Sequence, residues 1–193
     1  MGKKPTQLPT LQQIEQERKR LKYKKAYQKA LTGTIYALLI VAACAVLIAT
    51  LFLPVLQISG TSMEPTLIDG DIVLLIKNNQ YERGELCSFA YENKYLVKRI
   101  IGIPGDVIEI DHDGTVYVNE EELDEPYVIN KALGECDLEF PYQVPDGKYF
   151  FMGDQRSTSI DSRSSVIGCV SKDQIVGKVF LRIWPLGKIS LIK

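Results

Sequence analysis

The spacing of apolar residues changes character once along the chain, near residue 56. Residues 33–56, GTIYALLIVAACAVLIATLFLPVL, carry no charged side chain. A helix of about 20 such residues rises roughly 30 Å, the thickness of a bilayer's hydrocarbon core, so a single transmembrane helix is expected here. A cleaved secretory signal would have a shorter apolar core of about 7 to 15 residues, closed by small side chains. This run closes instead on Phe52-Leu53-Pro54-Val55-Leu56. Downstream, short alternating runs separated by Gly, Pro, Asp and Asn predict strands at 71–77, 85–91, 94–103, 106–111, 115–119, 148–154 and 174–186. His112-Asp113-Gly114 marks a hairpin between two of them, because Asp-Gly tolerates the positive φ of a tight turn. The expected fold is mainly β: an N-terminal transmembrane helix, then an antiparallel β-sheet domain with a small hairpin-bearing excursion at 110–145.

Charge sharpens the division. Residues 1–32 hold nine basic side chains, Lys3 and Lys4 among them, against Glu15 and Glu17, a net of +7. The other 161 residues hold 14 basic and 22 acidic side chains, a net of −8. Basic residues before a span are retained in the cytoplasm, so residues 1–32 are expected there, 33–56 in the membrane and 57–193 outside the cell. Contact of the basic segment with anionic lipid follows, whereas nucleic-acid binding does not. Of four cysteines, Cys44 lies in the span, and Cys87, Cys136 and Cys169 are too few and too scattered for a disulfide framework. With no CxxC motif and His112 as the one histidine, neither a metal nor another cofactor is expected.

The single histidine also restricts the catalytic options. His112 sits between Asp111 and Asp113 in a predicted turn, so a serine nucleophile would need a different base. Lysine can serve once burial lowers its pKa from about 10.4. In YLVKRIIG, alternation places Leu96, Lys98 and Ile100 on one face, which gives Lys98 apolar neighbours. Ser62 lies in ISGTSMEPTL between Gly60, which permits close backbone approach, and Pro65, which restricts the chain. Such a turn can offer a hydroxyl together with a backbone N–H as oxyanion donor. A third cluster, GDQRSTSIDSR, alternates Asp154, Arg156, Asp161 and Arg163 with hydroxyl residues and suits a rigid polar loop beside the lysine.

In order and approximate spacing, SMEPTL, GDIVLLIK, YLVKRIIGIPGD and GDQRSTSIDSR resemble the type I signal peptidases, membrane-anchored serine proteases that remove signal peptides from exported proteins. The likeness is to the bacterial type, which has lysine where the endoplasmic-reticulum branch has histidine. The short excursion is similar to compact Gram-positive forms. The resemblance implies Ser62 as nucleophile and Lys98 as general base. It also implies Ser159 as the serine that orients the lysine, Asp161 and Arg163 as a supporting ion pair, and Asp154 beside them. The oxyanion site is expected at the Ser62 backbone and the Gly60 region. Some relatives carry a hydroxyl residue where Gly60 stands, and Gln155 replaces the usual asparagine. By motif position Ile58, Met63, Leu67 and Val97 would line shallow pockets for small residues at positions −3 and −1 of a signal peptide. From Leu53 to Ser62 the chain has nine residues and reaches about 30 Å at most, which confines the nucleophile to the neighbourhood of the bilayer. A monomer in the cell membrane is expected.

Two other functions compete. A sortase-like cysteine transpeptidase would use His112, Cys169 and Arg182, which occur in the right order, but SVIGCVS lacks the Thr-x-Thr-Cys context. A membrane-tethered β-domain that only binds a partner would leave Ser62 and Lys98 as structural residues.

Overall fold

The computed structural model describes residues 10–192, except the side chains of residues 48–52. Lys3 and Lys4 of the basic segment lie outside the described residues. The chain divides into two compact units, the first ending at Leu51 and the second beginning at Phe52.

Over its described residues the first unit is helical: α1 runs Leu11–Phe52, and in it the basic segment from residue 11 onward and the apolar run are continuous. Its start is half of a capping box: the Thr10 N–H donates to Gln13 Oε1 at 3.0 Å. Pro54 bars its continuation. The stretch Leu11–Leu47 contains a window long and apolar enough to cross a membrane, by length and composition, and the residues of that window are exposed among the described residues.

The second unit is built from β1 (Val55–Gln57), β2 (Ile72–Ile76), β3 (Leu86–Tyr91), β4 (Lys94–Gly102), β5 (Val107–Ile110), β6 (Val116–Val118), β7 (Glu121–Glu122), β8 (Tyr142–Gln143), β9 (Lys148–Met152), β10 (Val170–Ser171), β11 (Ile175–Trp184) and β12 (Ser190–Leu191). The main sheet has the order β1-β2-β11-β3-β4-β9-β10, with β12 on β11, and a smaller sheet has the order β7-β6-β5-β8. All pairings are antiparallel. All seven expected strands are present with slightly different ends. The excursion supplies β6, β7 and β8 of the second sheet, and His112 is exposed in the loop between β5 and β6. Val55 and Leu56, expected to end the span, instead pair with Leu74 and Val73 of β2. Hydropathy alone does not separate an apolar edge strand from the end of a span when the two are contiguous.

Period-two alternation decides which core each side chain enters. On β9, Tyr149 and Phe151 pack with Phe89, Ile100 and Ile175, while Phe150 and Met152 pack with Ile101 of β4 and with Ile108 and Val118 of the second sheet. Both faces of β9 are therefore covered. On β4, Leu96 and Ile100 join the first of these clusters, whereas Val97 packs against a third cluster around Ile58, Met63, Leu67 and Leu86. That third cluster lies beneath the Ser62 turn.

Candidate active site

The turn carrying Ser62 is part of a loop closed at its neck. The Ile58 N–H donates to the Asp71 carbonyl at 2.8 Å and the Gly70 N–H to the Ile58 carbonyl at 3.0 Å. Asp71 Oδ2 accepts from the Ile68 N–H at 3.1 Å and from Arg182 at 2.9 Å. Met63 and Leu67, 2% and 0% exposed, pin the turn from below. Its geometry is therefore fixed by packing as well as by Pro65.

Lys98 projects from β4 with Nζ 2.6 Å from Ser62 Oγ, and only 4% of the residue is exposed. Burial is the main cause that lowers its pKa from 10.5 to about 8; Asp161 opposes the shift, Arg163 adds to it and Asp154 opposes it. An amine lowered this far is neutral in a substantial fraction of molecules at mildly alkaline pH. It can then accept the Ser62 hydroxyl proton instead of donating.

Loop 153–163 closes over the pair. Asp161 and Arg163, both fully buried, form an ion pair with Nε to Oδ1 and Nη2 to Oδ2 each 2.8 Å. Asp161 Oδ2 also accepts from the Gly153 N–H at 2.9 Å and the Ser159 hydroxyl at 2.6 Å. The expected Ser159–Lys98 hydrogen bond is not formed among the described residues. A hydroxyl has one proton, and a buried carboxylate is the stronger acceptor for it. Asp154 receives Arg99 Nε at 2.9 Å and Nη2 at 2.7 Å, along with the Thr66 hydroxyl. This bridge ties the Ser62 turn, β4 and loop 153–163 together.

The oxyanion expectation divides. The Ser62 N–H donates to no acceptor among the described residues, so it is available to a substrate oxygen. Gly60 adopts φ +90°, and its N–H is bound to Asp69 Oδ1 at 2.8 Å. The Gly60 N–H is thus occupied and does not supply the second donor.

A cleft of about 570 Å³ opens at Ser62 and Lys98, between residues 56–59 and 93–97. Ile58, Met63 and Val97 line it, together with Leu56 and Tyr95. Leu67 does not: it is fully buried in the core cluster that it shares with Ile58 and Met63.

Sequence reasoning passes over Gly153, Thr66 and Arg99 as site residues. A Cβ on Gly153 would lie 2.2 Å from Ser159 Oγ and 2.5 Å from the Ser62 carbonyl oxygen, so only glycine lets the two loops meet. The Gln155 N–H donates to that same carbonyl at 3.1 Å. The signal for Gly153 was its place at the head of the GDQR motif; Thr66 and Arg99 stand in motifs whose other members drew attention.

The residues of a cysteine transpeptidase do not come together as a site. No hydrogen bond or ion pair joins His112, Cys169 and Arg182 among the described residues; Arg182 is committed to Asp71 and Ser190. Burial pushes the Cys169 thiol above its ordinary pKa, which disfavours the thiolate. All four cysteines are free.

Comparison with known proteins agrees with the motifs. The family described as signal peptidase, peptidase S26, matches residues 31–184. A signal peptidase I of Bacillus amyloliquefaciens is 35% identical over 183 residues, 89% of this chain and 98% of its own length. Signal peptidase I U of Bacillus subtilis is 33% identical over 181 residues, 88% of this chain and 96% of its own. Signal peptidase IB of Staphylococcus aureus is 39% identical over 154 residues, 69% of this chain and 78% of its own. A crystal structure of a signal peptidase I from Enterococcus faecalis aligns with 52% of this chain and 97% of its own at 27% identity and a TM-score of 0.45. With a family model that matches residues 31–184 and relatives 33–39% identical to it, this chain belongs to the signal peptidase I family, peptidase S26.

Proposed function

We propose that this protein is a membrane-anchored serine endopeptidase that cleaves signal peptides from exported preproteins with Ser62 as nucleophile and Lys98 as general base. The family acts on preprotein signal peptides. The observation that carries the finer reading is the 2.6 Å approach of Lys98 Nζ to Ser62 Oγ by a lysine lowered to about 8. α1 is the anchor, with the basic end in the cytoplasm and the β domain outside.

Neutral Lys98 takes the hydroxyl proton as Ser62 Oγ attacks the scissile carbonyl. The oxygen of the tetrahedral intermediate takes its charge toward the Ser62 N–H. Lys98, now an ammonium, donates its proton to the departing amine, leaving an acyl ester on Ser62. It then deprotonates the water that hydrolyses the ester. Asp161 and Arg163 hold the loop that keeps bulk water from the lysine. Small side chains at −3 and −1 suit the shallow wall of Ile58, Met63 and Val97. No cofactor takes part in this scheme.

Processing of a preprotein with alanine at −3 and −1 tests the reading. Ser62→Ala and Lys98→Ala should each lower kcat by on the order of 10⁴-fold or more while the domain stays folded. A serine-directed penem should label Ser62 in the wild type. Full activity in Lys98→Ala would refute the dyad, and labelling at Cys169 would redirect the assignment to the thiol.

A further inference from the structure

Three buried arginines surround the dyad, and the outer side of each meets one segment of the excursion, residues 125–137. Arg156 Nη1 donates to Glu125 Oε2 at 2.9 Å, its Nη2 contacts Oε1, and this pair is essentially inaccessible to solvent. The Arg99 guanidinium stacks on the Tyr127 ring, 3.8 Å from its centroid. The Tyr127 hydroxyl donates to Glu125 Oε1 at 3.0 Å. Arg163 Nη1 donates to the carbonyls of Leu133 at 2.6 Å and Ala132 at 3.3 Å.

The same arginines hold the site on their inner sides. Arg99 fixes Asp154, Arg156 Nε donates to the Gly153 carbonyl at 3.1 Å, and Arg163 fixes Asp161. The segment lies close enough to require glycine: a Cβ on Gly134, at φ +65°, would sit 2.3 Å from the Arg156 carbonyl oxygen and 2.8 Å from Arg163 Nη1. No motif that carried the family resemblance contains any of these excursion residues.

We propose that residues 125–137 are a strap that positions the catalytic lysine, with Tyr127 as its principal positioning residue acting through Arg99. The inference rests on the Ser62/Lys98 reading. Tyr127 touches neither Ser62 nor Lys98; it sets the plane of the guanidinium that follows Lys98 on β4 and grips Asp154. A cation over an aromatic face in a desolvated setting is attracted by the ring's π cloud, which favours one arginine rotamer over its alternatives. Burial pushes the Tyr127 hydroxyl well up, so it stays a donor to Glu125. The groups facing Lys98 are the Ser62 hydroxyl and the charges of Asp154, Asp161 and Arg163. A released Arg99 leaves Asp154 less neutralised and the loop open to water, and both changes return proton affinity to Lys98.

The test is the pH dependence of kcat/KM for the full chain in detergent micelles, on a signal-peptide substrate, for wild type, Tyr127→Leu and Tyr127→Phe. A tenfold gain in proton affinity lowers the Tyr127→Leu rate about ninefold at pH 7 and by less than about 1.2-fold at pH 10. KM should be unchanged. Tyr127→Phe keeps the ring and should keep the wild-type acid limb. A loss equal at every pH, or an unmoved limb, overturns the strap. Should Tyr127→Leu fail to fold, Tyr127→Met keeps the apolar volume without the π face and is measured in the same way. A wild type with no acid limb near pH 8 would instead overturn the dyad, so the two failures are distinguishable.

Discussion

Replacing Lys98 by methionine should abolish activity and stabilise the protein, by an amount that depends on pH. The fold lowers Lys98 from 10.5 to about 8, about 2.5 decades of proton affinity. At about 1.4 kcal/mol per decade, holding the ammonium in the site costs roughly 3 kcal/mol relative to the unfolded chain. The residue is 4% exposed, so solvent screening takes little from this figure. Below about pH 8 both folded and unfolded states carry the proton and the cost is fully present. Between 8 and 10.5 the unfolded chain binds more protons than the fold, so wild-type stability rises with pH through that window.

Methionine fills a similar volume and does not titrate. Its own packing contributes a constant difference, which cancels when two pH values are compared. From pH 6.5 to 9.5 the stability advantage of Lys98→Met over wild type should therefore shrink by about 2 kcal/mol. The protein has one tryptophan, Trp184, on β11. Its fluorescence during urea unfolding of the micelle-bound chain reports the transition in the β domain. Parallel stability curves for the two proteins across this range would refute the claim that Lys98 is held against its hydration.

Two further substitutions probe the frame around the lysine. Gly153→Ala drives a methyl to 2.2 Å from Ser159 Oγ and 2.5 Å from the Ser62 carbonyl oxygen. It should cost about 1–3 kcal/mol in thermal or urea unfolding and lower processing by about 100-fold through displacement of the nucleophile. Arg99→Gln frees Asp154, whose charge already acts to raise Lys98. Its acid limb in kcat/KM should move to higher pH, with the greatest loss below pH 8; a limb that stays in place would show that Arg99 does not neutralise Asp154.

Legibility in the sequence followed locality. The Ser62 turn and the Lys98 strand are short segments whose character depends on neighbouring residues, so Gly60, Pro65 and strict alternation marked them as candidates, and the family resemblance paired them. Which side of the turn faces the cleft depends on what packs beneath it, and Leu67 was accordingly placed in a pocket when it belongs to the core. The Gly60 region was expected to contribute to the oxyanion site, but the Asp69 carboxylate folds back across nine residues to take the Gly60 N–H. The strap was the least legible part. Glu125, Tyr127 and Leu133 share no period and no motif, and their relation to Arg156, Arg99 and Arg163 exists only after two sheets have packed on β9.

The same arrangement explains how a lysine can work beside two buried carboxylates. Asp154 and Asp161 each act to hold the proton on Lys98, and unneutralised they would oppose its use as a base. Each is instead gripped through two hydrogen bonds by its own arginine, Asp154 by Arg99 and Asp161 by Arg163. Their fields at the amine are thereby reduced, and burial becomes the dominant influence. The carboxylates remain necessary because they accept the Gly153 N–H and the Ser159 and Thr66 hydroxyls that close the loop over the lysine. Buried guanidinium groups in turn need acceptors or π faces on their outer sides, since an unpaired buried charge is strongly destabilising. Glu125, Tyr127 and the carbonyls of Ala132 and Leu133 meet that need. On the proposed Ser62/Lys98 reading the excursion supports the base: drying the amine calls for a closed polar loop, the loop for arginines, and the arginines for a second layer.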